Sequence, residues 1–309
     1  MDATSVKITT SILSVVATLA VGGRFWARRI KKQHYGLDDW TVLASLVVMW
    51  ALAAVILAGA VVGLYHSHDV DTTSAGQLET TGREQLISKY NFVKCILLIA
   101  GIGLVKLSVV FLYRRIFNVV RTFKIYSLTL IVLLAGWTVA FLFANIFQCS
   151  VHISALWGSA EGILRYCKTS GPASYGFVVS DIITDVLVLV SPVPIVWHMK
   201  VSTGRKLGIT GIFGLGLLST AAACGRLSTF LKALHSELLP ISRLPRADAE
   251  LAIWAVIELS VAVVAACLPV MRPLFQSHGL GGFVTSVRSG SIHRSRQKEQ
   301  PSWMEINDV

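Results

Sequence analysis

Lys106, Asp181, Asp185, Arg226 and Glu258 are ionisable residues set well inside long apolar runs. A charge in hydrocarbon is costly, so residues of this kind face a bundle interior, pair with one another and mark ligand, ion or proton sites. Asp181 and Asp185 are spaced i, i+4 and share one helix face. With a rise of ~1.5 Å per residue, depths counted from the edges of the outer connecting segments (65–90, 148–171 and 232–250) are ~24 Å for Lys106, ~21 Å for Asp185, ~15 Å for Asp181, ~12 Å for Glu258 and ~9 Å for Arg226. Those depths predict two pairs, Lys106 with Asp185 and Arg226 with Glu258. Two carboxylates against one lysine leave a surplus negative charge, to be met by a proton, a cation or a ligand amine. The simplest reading is a set of internal ion pairs that fix helix register. A ligand or ion site lined by them comes next. Acid chemistry on a polyene or an epoxide comes third, and nothing in the sequence selects it.

Several other chemistries lack their residues. The seventh run has no lysine to hold retinal as a Schiff base. Asp38-Asp39 has no third acid at Val42, so it is not a diphosphate site of prenyl transfer. His66, His68, Asp69 and Asp71 cluster with irregular spacing, and read as a solvated loop rather than a metal site. No Walker loop, dinucleotide fingerprint or zinc pattern occurs, so neither a cofactor nor a metal is expected.

The elements that must position these charges follow from composition. Of 309 residues, 54% are apolar and only 15% charged, with a mean hydropathy of +0.65. A soluble domain would lack the polar surface to cover itself. Seven runs reach membrane-spanning length, at 6–23, 40–64, 92–113, 125–147, 175–197, 207–231 and 251–275. Thr9, Thr10, Ser11, Ser14 and Thr18 dilute the first run. Its basic residues follow it rather than precede it, which marks a retained helix and not a signal peptide. Alternate connecting segments carry 17 Lys and Arg on one side and seven on the other. That asymmetry places the N-terminus outside and the C-terminus in the cytoplasm. The expected fold class is an all-α integral membrane protein, a seven-transmembrane helix bundle.

The expected organisation is a short outer N-terminus with the first helix (1–23), a core of helices two to seven (24–275) and a disordered basic cytoplasmic tail (276–309). Arg288-x-x-Ser291 in that tail fits a basic-directed kinase, but a solvated segment near anionic lipid explains it more simply. The net charge of +11 belongs to cytoplasmic loops, so no nucleic-acid partner is expected. The expected partners are the lipid bilayer, a small hydrophobic ligand and a cytoplasmic protein at the inner loops and tail. The setting is multi-pass, in the plasma membrane or an endomembrane. No internal repeat is detectable, which disfavours an inverted-repeat carrier. Pro192 and Pro194 should end the fifth span near its inner end.

Cys149 and Cys167 bracket the outer loop between spans four and five. An oxidising outer face favours a disulfide between them, with Cys95 as the competing partner for that loop. Cys224 and Cys267 read as buried apolar fillers rather than reactive thiols.

The order and spacing of several motifs are specific in combination. They are Gly36-Leu-Asp-Asp-Trp40, Lys106-Leu-Ser108 with Tyr113-Arg-Arg-Ile-Phe117, and Cys149 with Trp157 and Cys167. Asp181-x3-Asp185 with Pro192-Val-Pro194, Arg205-Lys206-Leu207-Gly208, Trp254-x3-Glu258 and Cys267-Leu-Pro-x2-Arg-Pro273 follow. Over about 24–275 the chain resembles the fungal rhodopsin-like domain family of seven-helix membrane proteins. That family includes the membrane protein named from the satratoxin biosynthetic cluster and receptors associated with pathogenicity. The resemblance implies the seven-helix topology and a secondary-metabolite gene cluster, with a receptor-like protein that senses or binds a small hydrophobic molecule. The alternative is an integral-membrane cyclase or isomerase acting on a lipid-soluble intermediate, for which no catalytic residue can be assigned.

Overall fold

The computed structural model describes residues 3–65, 81–116, 121–150, 167, 170–192, 203–235 and 244–278. Among them are seven helices and no strand: α1 (Ala3–Ile30), α2 (Leu37–Val61), α3 (Thr81–Ile116), α4 (Arg121–Ile146), α5 (Ser170–Val190), α6 (Thr203–His235) and α7 (Leu244–His278). Among the described residues, six helices (all but α6) are long and apolar enough to cross a membrane. Hydrocarbon offers no partner to a free N–H or C=O, so a spanning segment must satisfy its backbone internally. Two of the hydroxyls that dilute the first apolar run do the same. Ser14 Oγ donates to Thr10 O at 2.8 Å and Thr18 Oγ1 to Ser14 O at 2.7 Å, within their own helix.

The helices pack in sequence order into a closed ring, with α7 returning to α1, and α3 also touches α5 and α7 across the bundle. Buried Val42, Met49, Leu52, Ile56, Leu259 and Val263 form the centre of the core. Leu19, Trp26, Val61, Val132 and Leu217 are exposed, as lipid-facing positions are. Close approach depends on small residues. A Cβ on Gly225 of α6 would lie 2.6 Å from the Trp254 ring of α7, and one on Gly103 of α3 would run into the Thr138 side chain of α4.

Helix ends differ from the apolar runs where charge is buried. The first run stops at Gly23, yet α1 continues to Ile30, because Arg24 and Arg28 are 0% and 4% exposed and have partners inside the protein. Helix α3 starts well before residue 92, at Thr81. Helix α5 ends at Val190, two residues before Pro192. Residues 276–278, expected in the tail, complete α7. The His66–Asp71 cluster, Trp157, Pro194 and the tail beyond His278 lie outside the described residues.

Candidate functional site

Four helices bring the five intramembrane charges together. Lys106 on α3 reaches Asp185 Oδ1 on α5 at 2.9 Å, and Arg226 Nε on α6 lies 3.0 Å from Glu258 Oε2 on α7. These are the two pairs that the depths predict. They are not separate, however. Asp181, one turn from Asp185, turns Oδ1 to Lys106 Nζ at 2.7 Å and Oδ2 to Arg226 Nη2 at 2.6 Å. One carboxylate thus joins both pairs into a single network. Depth alone suggests this position, since Asp181 falls between the pairs, but only helix rotation shows which way it points.

The rest of the network is polar satisfaction and ring faces. Lys106 Nζ also donates to Thr184 Oγ1 and to the Asp181 carbonyl, at 2.7 and 2.8 Å. The ammonium lies 5.1 Å from the centre of the Trp137 ring, and the Arg226 guanidinium 5.0 Å from that of Phe177. Trp137 is held in turn, its Nε1 donating to Ser180 Oγ at 2.9 Å. Asp181 is fully buried, and Glu258, Arg226 and Lys106 are nearly so. Asp185 is the least enclosed of the three acids and has only Lys106 as a cation partner in the network.

A second buried cluster closes the opposite end of the bundle from the disulfide. Arg24 Nε donates to Asp39 Oδ1 at 2.8 Å and Nη2 to Asp38 Oδ2 at 2.6 Å. Arg28 contacts the same two oxygens. Arg115, from the end of α3, donates to Asp38 Oδ1 at 3.2 Å and to the His34 carbonyl at 2.6 Å. Arg24 Nη1 takes the Ala266 carbonyl of α7 at 2.6 Å, near the turn that Pro269 deprives of a donor. Asp38 and Asp39 open α2, where acids favour the helix dipole, and Asp39 accepts the Gly36 N–H at 3.1 Å. The basic residues 24–32 read as a cytoplasmic loop in the sequence. Arg24 and Arg28 are buried and tie α1 to α2, Arg24 also reaches α7, and Arg115 adds α3 to the cluster. The available signal was the i, i+4 spacing of Arg24 and Arg28 opposite an Asp-Asp pair at the start of the next helix.

Two cavities flank the five-residue network. The larger, about 300 Å³, lies at the disulfide end between α3, α4, α5, α6 and α7. Arg226 forms part of its wall, together with Lys94, Asn145, Phe177, Phe230 and Asp248. Lys94 Nζ lies 3.5 Å from Asp248 Oδ1, and Asn91 donates to Asp248 Oδ2 at 2.8 Å. Tyr65, just past α2, is pushed above its usual phenol range by burial, with the Lys94 charge partly offsetting this, so it stays protonated at neutral pH. The smaller cavity, about 60 Å³, lies on the other side, against Lys106, Asp185, Tyr113 and Pro269. Cys149 and Cys167 are disulfide-bonded, and Cys95, Cys224 and Cys267 are free; Cys267 is buried as expected, but Cys224, on α6, is exposed. Cys95 is on the wall of the larger cavity.

An all-helical bundle with several spans and a buried charge network beside an internal cavity defines a polytopic membrane protein with a ligand-sized interior space. The family model described as the fungal rhodopsin domain matches residues 23–277, and the chain belongs to that family. It is 31% identical to the polyenoic acids biosynthesis gene cluster protein Ba17b of Metarhizium anisopliae, over 87% of this chain and 73% of that protein. It is 27% identical to the phomoidride biosynthesis cluster protein H of a fungal species, over 94% and 93%. A SAT4 family membrane protein of Emericella nidulans is 29% identical over 62% of this chain and 48% of that protein. No solved structure matches the chain.

Proposed function

We propose that this protein is a seven-transmembrane, receptor-like component of a fungal secondary-metabolite pathway that binds or senses a small hydrophobic molecule. The N-terminus lies outside and the C-terminus in the cytoplasm, where the basic inner loops and tail would meet a cytoplasmic partner. The observation that carries this reading is the cavity of about 300 Å³ whose wall includes Arg226, a member of the buried network. Its volume is at the lower end of ligand pockets, and its wall combines aromatic side chains with a few polar groups. Occupancy at that wall bears on Arg226, and through Asp181 on Lys106, which reaches the smaller cavity. Similarity to proteins named for biosynthesis clusters supports a pathway metabolite as the ligand.

Deleting the gene and profiling metabolites and cluster transcripts tests the role. Sensing predicts that induction of the whole pathway is lost. Accumulation of one unconverted intermediate with transcripts intact would favour the integral-membrane cyclase or isomerase. Product retained inside the cell would favour a carrier.

A further inference from the structure

The larger cavity has a polar feature that its apolar lining does not explain. Asn145, on the α4 wall, has a buried Oδ1 with no hydrogen-bond partner among the described residues. A buried amide oxygen without a donor carries an uncompensated desolvation cost, and such atoms in folded proteins normally meet water or a ligand. The wall therefore presents an acceptor to whatever occupies the space.

Charge restricts the occupant further. Both cations on the wall already have carboxylates: Lys94 pairs with Asp248, and Arg226 with Asp181 and Glu258. Across these two clusters the carboxylates Asp181, Asp185, Glu258 and Asp248 outnumber the cations Lys94, Lys106 and Arg226, four to three. An anionic head group would find both wall cations already paired with carboxylates and would stand uncompensated in a low dielectric. A neutral donor brings no charge. Phe141, Phe177 and Phe230 make three of the cavity's faces aromatic, from three different helices, with Phe141 and Phe177 edge to face at 5.5 Å. Such faces suit a flat, unsaturated body.

Building on the reading that this cavity binds a small hydrophobic molecule, we propose that it selects an uncharged, unsaturated amphipath whose hydroxyl head donates to Asn145 Oδ1. The body lies against Phe141, Phe177 and Phe230. An ionised carboxylic acid of the same skeleton is rejected because Lys94 and Arg226 already have carboxylate partners.

Two probes of one skeleton test this: cis-parinaryl alcohol and cis-parinaric acid, titrated by fluorescence against the full-length protein in detergent at pH 8, where the acid is ionised. The expected result is saturable binding of the alcohol at least about tenfold tighter than the acid. Asn145→Leu should weaken the alcohol about tenfold, the scale of one net hydrogen bond, and leave the acid unchanged. Equal or tighter binding of the acid overturns the proposal while leaving the cavity as a ligand site. So does unchanged alcohol affinity in a folded Asn145→Leu protein. If neither probe saturates, the cavity reading itself fails, and this proposal with it. The head-group comparison uses the wild-type chain, so it stands even where the variant does not fold.

Discussion

Asp181 and Asp185 are one turn apart on the same helix face, yet they have different jobs. Asp181 is fully buried and contacts two cations, whereas Asp185 contacts one and lines the smaller cavity. Asp181→Asn should leave Lys106 and Arg226 underpaired, at the ~3–5 kcal/mol that breaking a buried pair costs. Asp185→Asn removes the surplus carboxylate and leaves Lys106 paired with Asp181, so it should cost clearly less than Asp181→Asn. Melting temperatures of the two variants in detergent check the order, and equal losses would mean that Asp181 is not the bridge. Lys106→Met should be as damaging as Asp181→Asn, because it strips both acids of α5 of the lysine. The five residues were legible in the sequence because a charge in an apolar run must find a partner. Their division into two pairs was only half of the arrangement. Depth arithmetic gives height along a helix and not its rotation, and rotation is what aims the two Asp181 oxygens at different helices.

Among the elements, the end of the bundle away from the disulfide is held by charge and the interior by close backbone contact. Arg24 touches α2 and α7 at once and is fully buried, whereas Arg115 reaches the same acids with a side chain 35% exposed. Arg24→Met should therefore abolish folded protein in size-exclusion profiles. Arg115→Gln should cost no more than ~1 kcal/mol, the range of a pair open to water. This cluster was not legible, for a physical reason. Arginines just past an apolar run look the same whether they reach water or turn back onto the next helix. The Cys149–Cys167 bond was legible from the oxidising face, and its 18-residue separation sets a loop-closure worth of about 3 kcal/mol. Cys149→Ser should lower stability by about that amount in non-reducing buffer and by nothing in the presence of reductant.

For the whole molecule, the 17-to-seven asymmetry of basic residues predicts a cytosolic C-terminal reporter and an external or lumenal N-terminal tag. Protease protection of the two tags in sealed vesicles checks it, and both termini on one side would contradict it. The ring of helices, the surplus carboxylate and the two cavities together describe a bundle in which the larger interior space is coupled by Arg226 to a buried charge network. The central claim is that this space holds a small apolar molecule. Ser174, half-buried on its α5 wall, allows the space to be filled without touching that network. The most direct measurement is native mass spectrometry of the protein released from its own membranes, comparing wild type with a Ser174→Phe variant of matched melting temperature. A discrete small-molecule adduct on the wild type that is absent from Ser174→Phe is the predicted result. The same masses on both proteins, or no adduct on the wild type after gentle release, would contradict the account.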